Sequence, residues 1–154
     1  MKEFMILRFT VATLAMAASL ASGMAYADET FDVHVPLGSV QMTKKTASSP
    51  LVLSVDSDEL VLESAYFPRV ETFSGNSFLI FLSSETHACA GYYTWVTLDE
   101  LGLRASPQFG NCSDRGKVMF TPQGPVLSLP PTKDASEAVF SLNKDGTVTK
   151  SGNE

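Results

Sequence analysis

Along most of this chain, apolar residues alternate with polar ones in short runs cut by turn-forming residues, and that period of two constrains the fold more than any other feature. Successive side chains of an extended strand point to opposite faces, so alternation marks a strand with one face on a core. In FDVHVPL, Phe31, Val33 and Val35 fall on one side and Asp32 and His34 on the other. LVLSVDSDELVLES reads as two strands joined by the polar turn Asp56-Ser57-Asp58. After a turn at Ser74-Gly75-Asn76, the most apolar run beyond the N-terminal segment, Phe78 to Leu82, is expected as a buried central strand. KVMFTPQGPVLSLP turns between Thr121 and Pro125. In EAVFSLNKDGTVTKSG, Asn143-Lys144-Asp145-Gly146 is a hairpin signal because Gly tolerates positive φ. LGSVQMTKKTASSP is polar and Ser/Thr-rich, which predicts a loop with at most a short strand.

Helical periodicity of useful length occurs only at the N-terminus. The best later candidate is a single turn around Thr132 to Glu137, where Asp134 could cap. The expected fold is therefore all-β: a small single-domain antiparallel β-sandwich or barrel of about eight to ten short strands. Periodicity leaves sandwich and barrel both open.

The first 27 residues have a different grammar. Lys2 and Arg8 flank a short apolar stretch that runs into small residues and the triplet Ala25-Tyr26-Ala27, the pattern of a cleaved secretory signal peptide. Its removal leaves 127 residues, expected as one all-β domain over 28–154. No later stretch reaches the roughly 20 apolar residues of a membrane span, and no Cys sits at the cleavage point to carry lipid, so no stable membrane anchor is expected. Taking Lys2, Arg8 and Glu3 from 11 basic and 17 acidic side chains leaves 9 and 16, a net charge of −7. That balance argues against nucleic acid and against anionic lipid as partners.

Export also bears on Cys89 and Cys112, the two cysteines of the chain. In an oxidising compartment they are expected to form one disulfide. The closed loop of about two dozen residues gives roughly 3 kcal/mol of stabilisation in the chain-entropy model.

Between the cysteines lies GYYTWVTLDELGLRASP. On a strand, Tyr92, Thr94, Val96 and Leu98 share one face and Tyr93, Trp95 and Thr97 the other. Either Trp95 is core and the aromatic set is structural, or Tyr93 and Trp95 form an exposed pair of the kind that anchors an interface. The core reading carries the greater weight. PQFGNCSDRGK then reads as a rigid turn, since Asn111, Ser113 and Asp114 bond nearby backbone. It also reads as a preorganised recognition loop, since a stapled loop loses little entropy on binding. The candidate partner-binding residues are Tyr93, Trp95, Phe109, Asn111, Asp114 and Arg115. Asn111-Cys112-Ser113 also matches the N-glycosylation pattern.

Catalysis has little to build on. The only histidines are His34 and His87, and no G-x-S-x-G elbow is present, so the chain is not expected to be an enzyme. His87-x-Cys89 with His34, Met42 and Met119 could in principle hold copper, but a disulfide would take Cys89 away. No metal ligand or cofactor is assigned.

Ala88-Cys89, Tyr92-Tyr93, Ser106-Pro107 and Phe109-Gly110-Asn111-Cys112-Ser113-Asp114 together resemble small exported Gram-negative proteins of uncharacterised function, which carry a Cys, a Tyr-containing strand and a Phe-Gly-x-Cys-Ser-Asp turn. The resemblance implies a periplasmic or secreted location and a disulfide, and brings no catalytic residue. The resulting expectation is an exported soluble, non-enzymatic binding or inhibitor domain, immunity-type in its particular form, acting on a protein partner in the cell envelope. The alternative is a periplasmic carrier of a small molecule or copper.

Overall fold

The computed structural model describes residues 29–62, 68–84 and 86–151, and every regular element among them is a β-strand. The expected signal peptide lies outside the described residues. The strands follow one another as six hairpins. These are β1 (Glu29–Val35) with β2 (Gly38–Lys44), β3 (Leu51–Val55) with β4 (Asp58–Leu62), and β5 (Pro68–Ser74) with β6 (Ser77–Ser83). Then come β7 (Gly91–Asp99) with β8 (Gly102–Ala105), β9 (Lys117–Thr121) with β10 (Gly124–Leu129), and β11 (Ala138–Leu142) with β12 (Val148–Ser151).

Neighbouring hairpins join into three four-stranded antiparallel sheets, ordered β1-β2-β3-β4, β5-β6-β7-β8 and β12-β11-β10-β9. The all-β antiparallel expectation holds, with three sheets among the described residues where a sandwich has two and with 12 strands there where eight to ten were expected.

The middle sheet is covered on both faces. Phe78, Ile80, Leu82, Val96 and Leu98 meet Val33, Val40, Met42, Leu51 and Leu53 of the first sheet. Leu79, Phe81, Tyr93 and Trp95 meet Leu127, Leu129, Phe140 and Leu142 of the third. Double burial explains why Phe78 to Leu82 is continuously apolar: a strand with two dry faces has no reason to alternate. The outer sheets, with one dry face each, supply the alternating segments.

Two local expectations need correction. The segment from Gly38 to Lys44, expected as mostly loop, is a full strand pairing with both β1 and β3. Its inward positions are Val40, Met42 and Lys44, and Lys44 is buried with its ammonium donating to the Ser49 carbonyl at 2.6 Å. The polar reading missed it because an ammonium bonded to backbone can occupy a core-facing position. Around Thr132 to Glu137 no helical turn forms; Thr132 N–H instead donates to the Ala135 carbonyl at 2.8 Å, in the direction opposite to a helix.

Side-chain hydrogen bonds made at the hairpin turns and neighbouring strand residues tie the layers together. The Asn76 side-chain oxygen accepts from Leu37 N–H at 2.9 Å, and the Asp58 carboxylate accepts from Leu103 N–H at 2.6 Å. The Trp95 indole donates to the Asn143 carbonyl at 3.0 Å. Gly102 sits at φ +108°, and a Cβ there would overlap the Asp58 carboxylate. These contacts gather hairpin turns from all three sheets at one end of the stack. The described connections over 45–50, 106–116 and 130–137 lie at the opposite end.

Candidate functional site

The end opposite those turns carries the disulfide. Cys89 and Cys112 are bonded, with Cα atoms 4.7 Å apart. β7 and β8 form the hairpin between them, and the chain continues antiparallel to β7 beyond β8. Ser106 N–H donates to the Trp95 carbonyl at 2.9 Å, Phe109 and Tyr93 exchange two backbone hydrogen bonds, and Ala90 N–H donates to the Cys112 carbonyl at 3.3 Å. The disulfide therefore locks the start of β7 to the end of its return strand.

Asn111 holds this connection to the next one. Its side-chain amide donates to the carbonyls of Pro130 and Ser136 at 2.8 and 2.9 Å, while its side-chain oxygen accepts from Ser113 N–H at 3.2 Å. Thr132 donates to the Asn111 carbonyl at 3.3 Å. Cys112, between these anchors, has a φ of 68°, a left-handed conformation that costs a non-glycine residue on the order of 1 kcal/mol and persists where surroundings fix it. The Ser113 hydroxyl accepts from Arg115 N–H at 3.2 Å and completes the turn.

Beneath the loop, the Tyr93 hydroxyl accepts from Gly116 N–H at 3.2 Å, and its ring lies 5.0 Å from that of Phe81 and 6.2 Å from that of Phe109. Burial pushes the Tyr93 phenol above its ordinary pKa; the Gly116 hydrogen bond opposes that shift only in part. Phe109 continues the aromatic chain to Phe140, 4.9 Å away.

Above the loop is an open cleft of about 600 Å³. His87, Ala88, Ala90, Tyr92, Gly110, Asn111, Cys112 and residues 132–135 line it. Tyr92 is 39% exposed, and its hydroxyl lies 3.8 Å from the Cys112 sulfur. Lys133 and Asp134 supply one charge of each sign.

The six sequence candidates separate sharply. Tyr93 and Trp95 are each 1% exposed, so the core alternative describes them and neither reaches the surface of this fold. Phe109 is half-buried against the second core. Asn111 is buried with both its amide and its oxygen engaged, which leaves the glycosylation pattern without an accessible amide. Asp114 and Arg115 are exposed. The cleft adds Tyr92, His87, Lys133 and Asp134. Lys133 and Asp134 could not be read from the sequence as part of the site, because they join it through bonds between the 130–136 segment and Asn111, some 20 residues earlier.

The copper set does not converge. Cys89 is in the disulfide, Met42 is fully buried in the first core, and His34 lies near the β1–β2 turn, at the end of the stack away from His87. Among the described residues, no group of three or more His, Cys, Asp or Glu is placed to hold a metal ion. Compared with protein-family models, curated proteins and solved structures, the chain finds no match.

Proposed function

We propose that this chain is an exported, non-enzymatic binding domain that presents its disulfide end to a protein partner in the periplasm or beyond, in the manner of an inhibitor or immunity protein. The supporting observation is the preorganisation of one loop by independent constraints: a disulfide, the hydrogen bonds of Asn111, and a backbone bridge to Tyr93. A loop held this firmly loses little conformational freedom on binding, so more of its contact energy appears as affinity. The loop carries exposed Asp114 and Arg115, and Tyr92 lies beside it with an amphipathic ring suited to an interface. A disulfide and a leader-like N-terminus both accord with an oxidising compartment.

Retention of proteins from an envelope extract on immobilised wild type, Tyr92→Ala and Arg115→Glu tests this reading. A protein held at low salt by the wild type and released by either substitution is the expected result. Retention of nothing, or retention indifferent to both substitutions, refutes it.

The carrier reading draws on the cleft, where His87, Tyr92 and Lys133 could bind a small polar ligand. Saturable binding of a small molecule that Tyr92→Ala abolishes, in a protein that captures no macromolecule, favours it.

A further inference from the structure

Among the described residues, β9 forms an open edge of the third sheet, and two large apolar side chains stand exposed on it: Met119 at 45% and Phe120 at 66%. An open strand edge is a template for another strand, and folds usually blunt such edges with bulges, charges, short length or a covering segment. The other edges show these devices. β5 is bulged between Val70 and Thr72, β8 has four residues and lies beside β4, and β12 has four residues with Lys150 among them. β1 is long, but pairing it with its own copy about its centre would oppose Asp32 to Asp32, a like-charge contact. β9 has no bulge, no proline and its one charge at its first residue.

We propose that two copies of this chain associate by antiparallel pairing of β9 with β9, about a two-fold axis at Met119. The backbone supports that register. Pro125, opposite Phe120, has no N–H, which fits the non-hydrogen-bonded position of the β9–β10 ladder. The N–H and C=O groups of Phe120 and Val118 then point to the open edge. With Met119 at the centre, Val118 of one copy faces Phe120 of the other, so these outward groups meet. On the inner face the same register sets Phe120 against Val118 of the second copy, extending an apolar layer because Val118 already packs on the second core. Lys117 falls opposite Thr121, which puts the two Lys117 backbones roughly 14 Å apart, beyond one Debye length at moderate salt.

Sedimentation of the purified chain from low micromolar to near millimolar concentration reads the association. A monomer–dimer equilibrium is expected, weak because a five-residue strand pair is a small interface. Met119→Lys sets two ammonium groups face to face and should weaken the dimer by about fivefold, with an unchanged circular dichroism spectrum because the residue is exposed. Met119→Cys, in a chain with no free cysteine among the described residues, should cross-link covalently to a second copy under air, since non-hydrogen-bonded antiparallel neighbours lie within disulfide reach. Thr121→Cys should not. A chain that stays monomeric throughout, its edge then serving a different strand or none, overturns the proposal. So does a dimer that ignores Met119→Lys and leaves Met119→Cys uncross-linked.

Discussion

Trp95 and Asn143 are 48 positions apart in the chain, and the indole N–H of the first donates to the backbone carbonyl of the second at 3.0 Å. The bond runs from the middle sheet to the β11–β12 turn, so one side chain fills the second core and secures a hairpin of the outer sheet. Trp95→Phe keeps an aromatic ring but leaves a void and breaks the bond between the layers, the Asn143 carbonyl keeping only its Gly146 N–H donor at 3.1 Å. The expected cost is about 2 kcal/mol in denaturant unfolding followed by circular dichroism.

Removal of the disulfide should cost about 3 kcal/mol, given the 23-residue separation of Cys89 and Cys112. Urea unfolding of the Cys89→Ser, Cys112→Ser double variant against wild type measures it. Alkylation of the unreduced protein followed by mass spectrometry should find no free thiol, and two alkylated cysteines would contradict the bond.

Gly116 is a packing constraint. A Cβ at this position would lie 2.6 Å from the Tyr93 hydroxyl oxygen and 2.8 and 3.0 Å from methyl carbons of Leu127 and Leu129. Gly116→Ala should therefore destabilise the fold by about 1–3 kcal/mol. Adding Tyr93→Phe removes the nearest of the three contacts, so the double variant should lose less than the sum of the singles, a coupling that a thermodynamic cycle of unfolding free energies reads directly.

Tyr93 also predicts a loss of stability in alkali. Its phenol is protonated in both states at neutral pH. Because burial raises its folded pKa above the ordinary value near 10, the unfolded chain releases that proton first as pH rises. The contribution is whole below about pH 10 and is lost through the interval up to the raised folded value. Urea midpoints measured across that interval should fall more steeply for wild type than for Tyr93→Phe; parallel slopes would contradict the assignment.

Much of the architecture is written in local pattern. Alternation in FDVHVPL, LVLSV and SEAVFSL, with turn residues at Asp56-Ser57, Gly75-Asn76 and Asn143–Gly146, specifies hairpins because the side-chain period of a strand and the positive φ of a tight turn are properties of a few consecutive residues. The pairing of the cysteines was legible for a similar reason: with only two in the chain, there is one bond to make.

Tertiary structure decided what neighbours along the chain cannot. Whether Tyr93 and Trp95 are wet depends on whether a third sheet covers the second face of β7, and the strand itself reads the same either way. Lys44 could enter a core-facing position because the Ser49 carbonyl was there to receive it. Lys133 and Asp134 became part of the cleft because Asn111 reaches across to Pro130 and Ser136. The sequence by itself determined the strands, their turns and the covalent clasp, which are short-range or combinatorially forced. The stacking of three layers determined which faces are dry and which residues share the surface, because burial is a property of what lies across the sheet rather than along the chain.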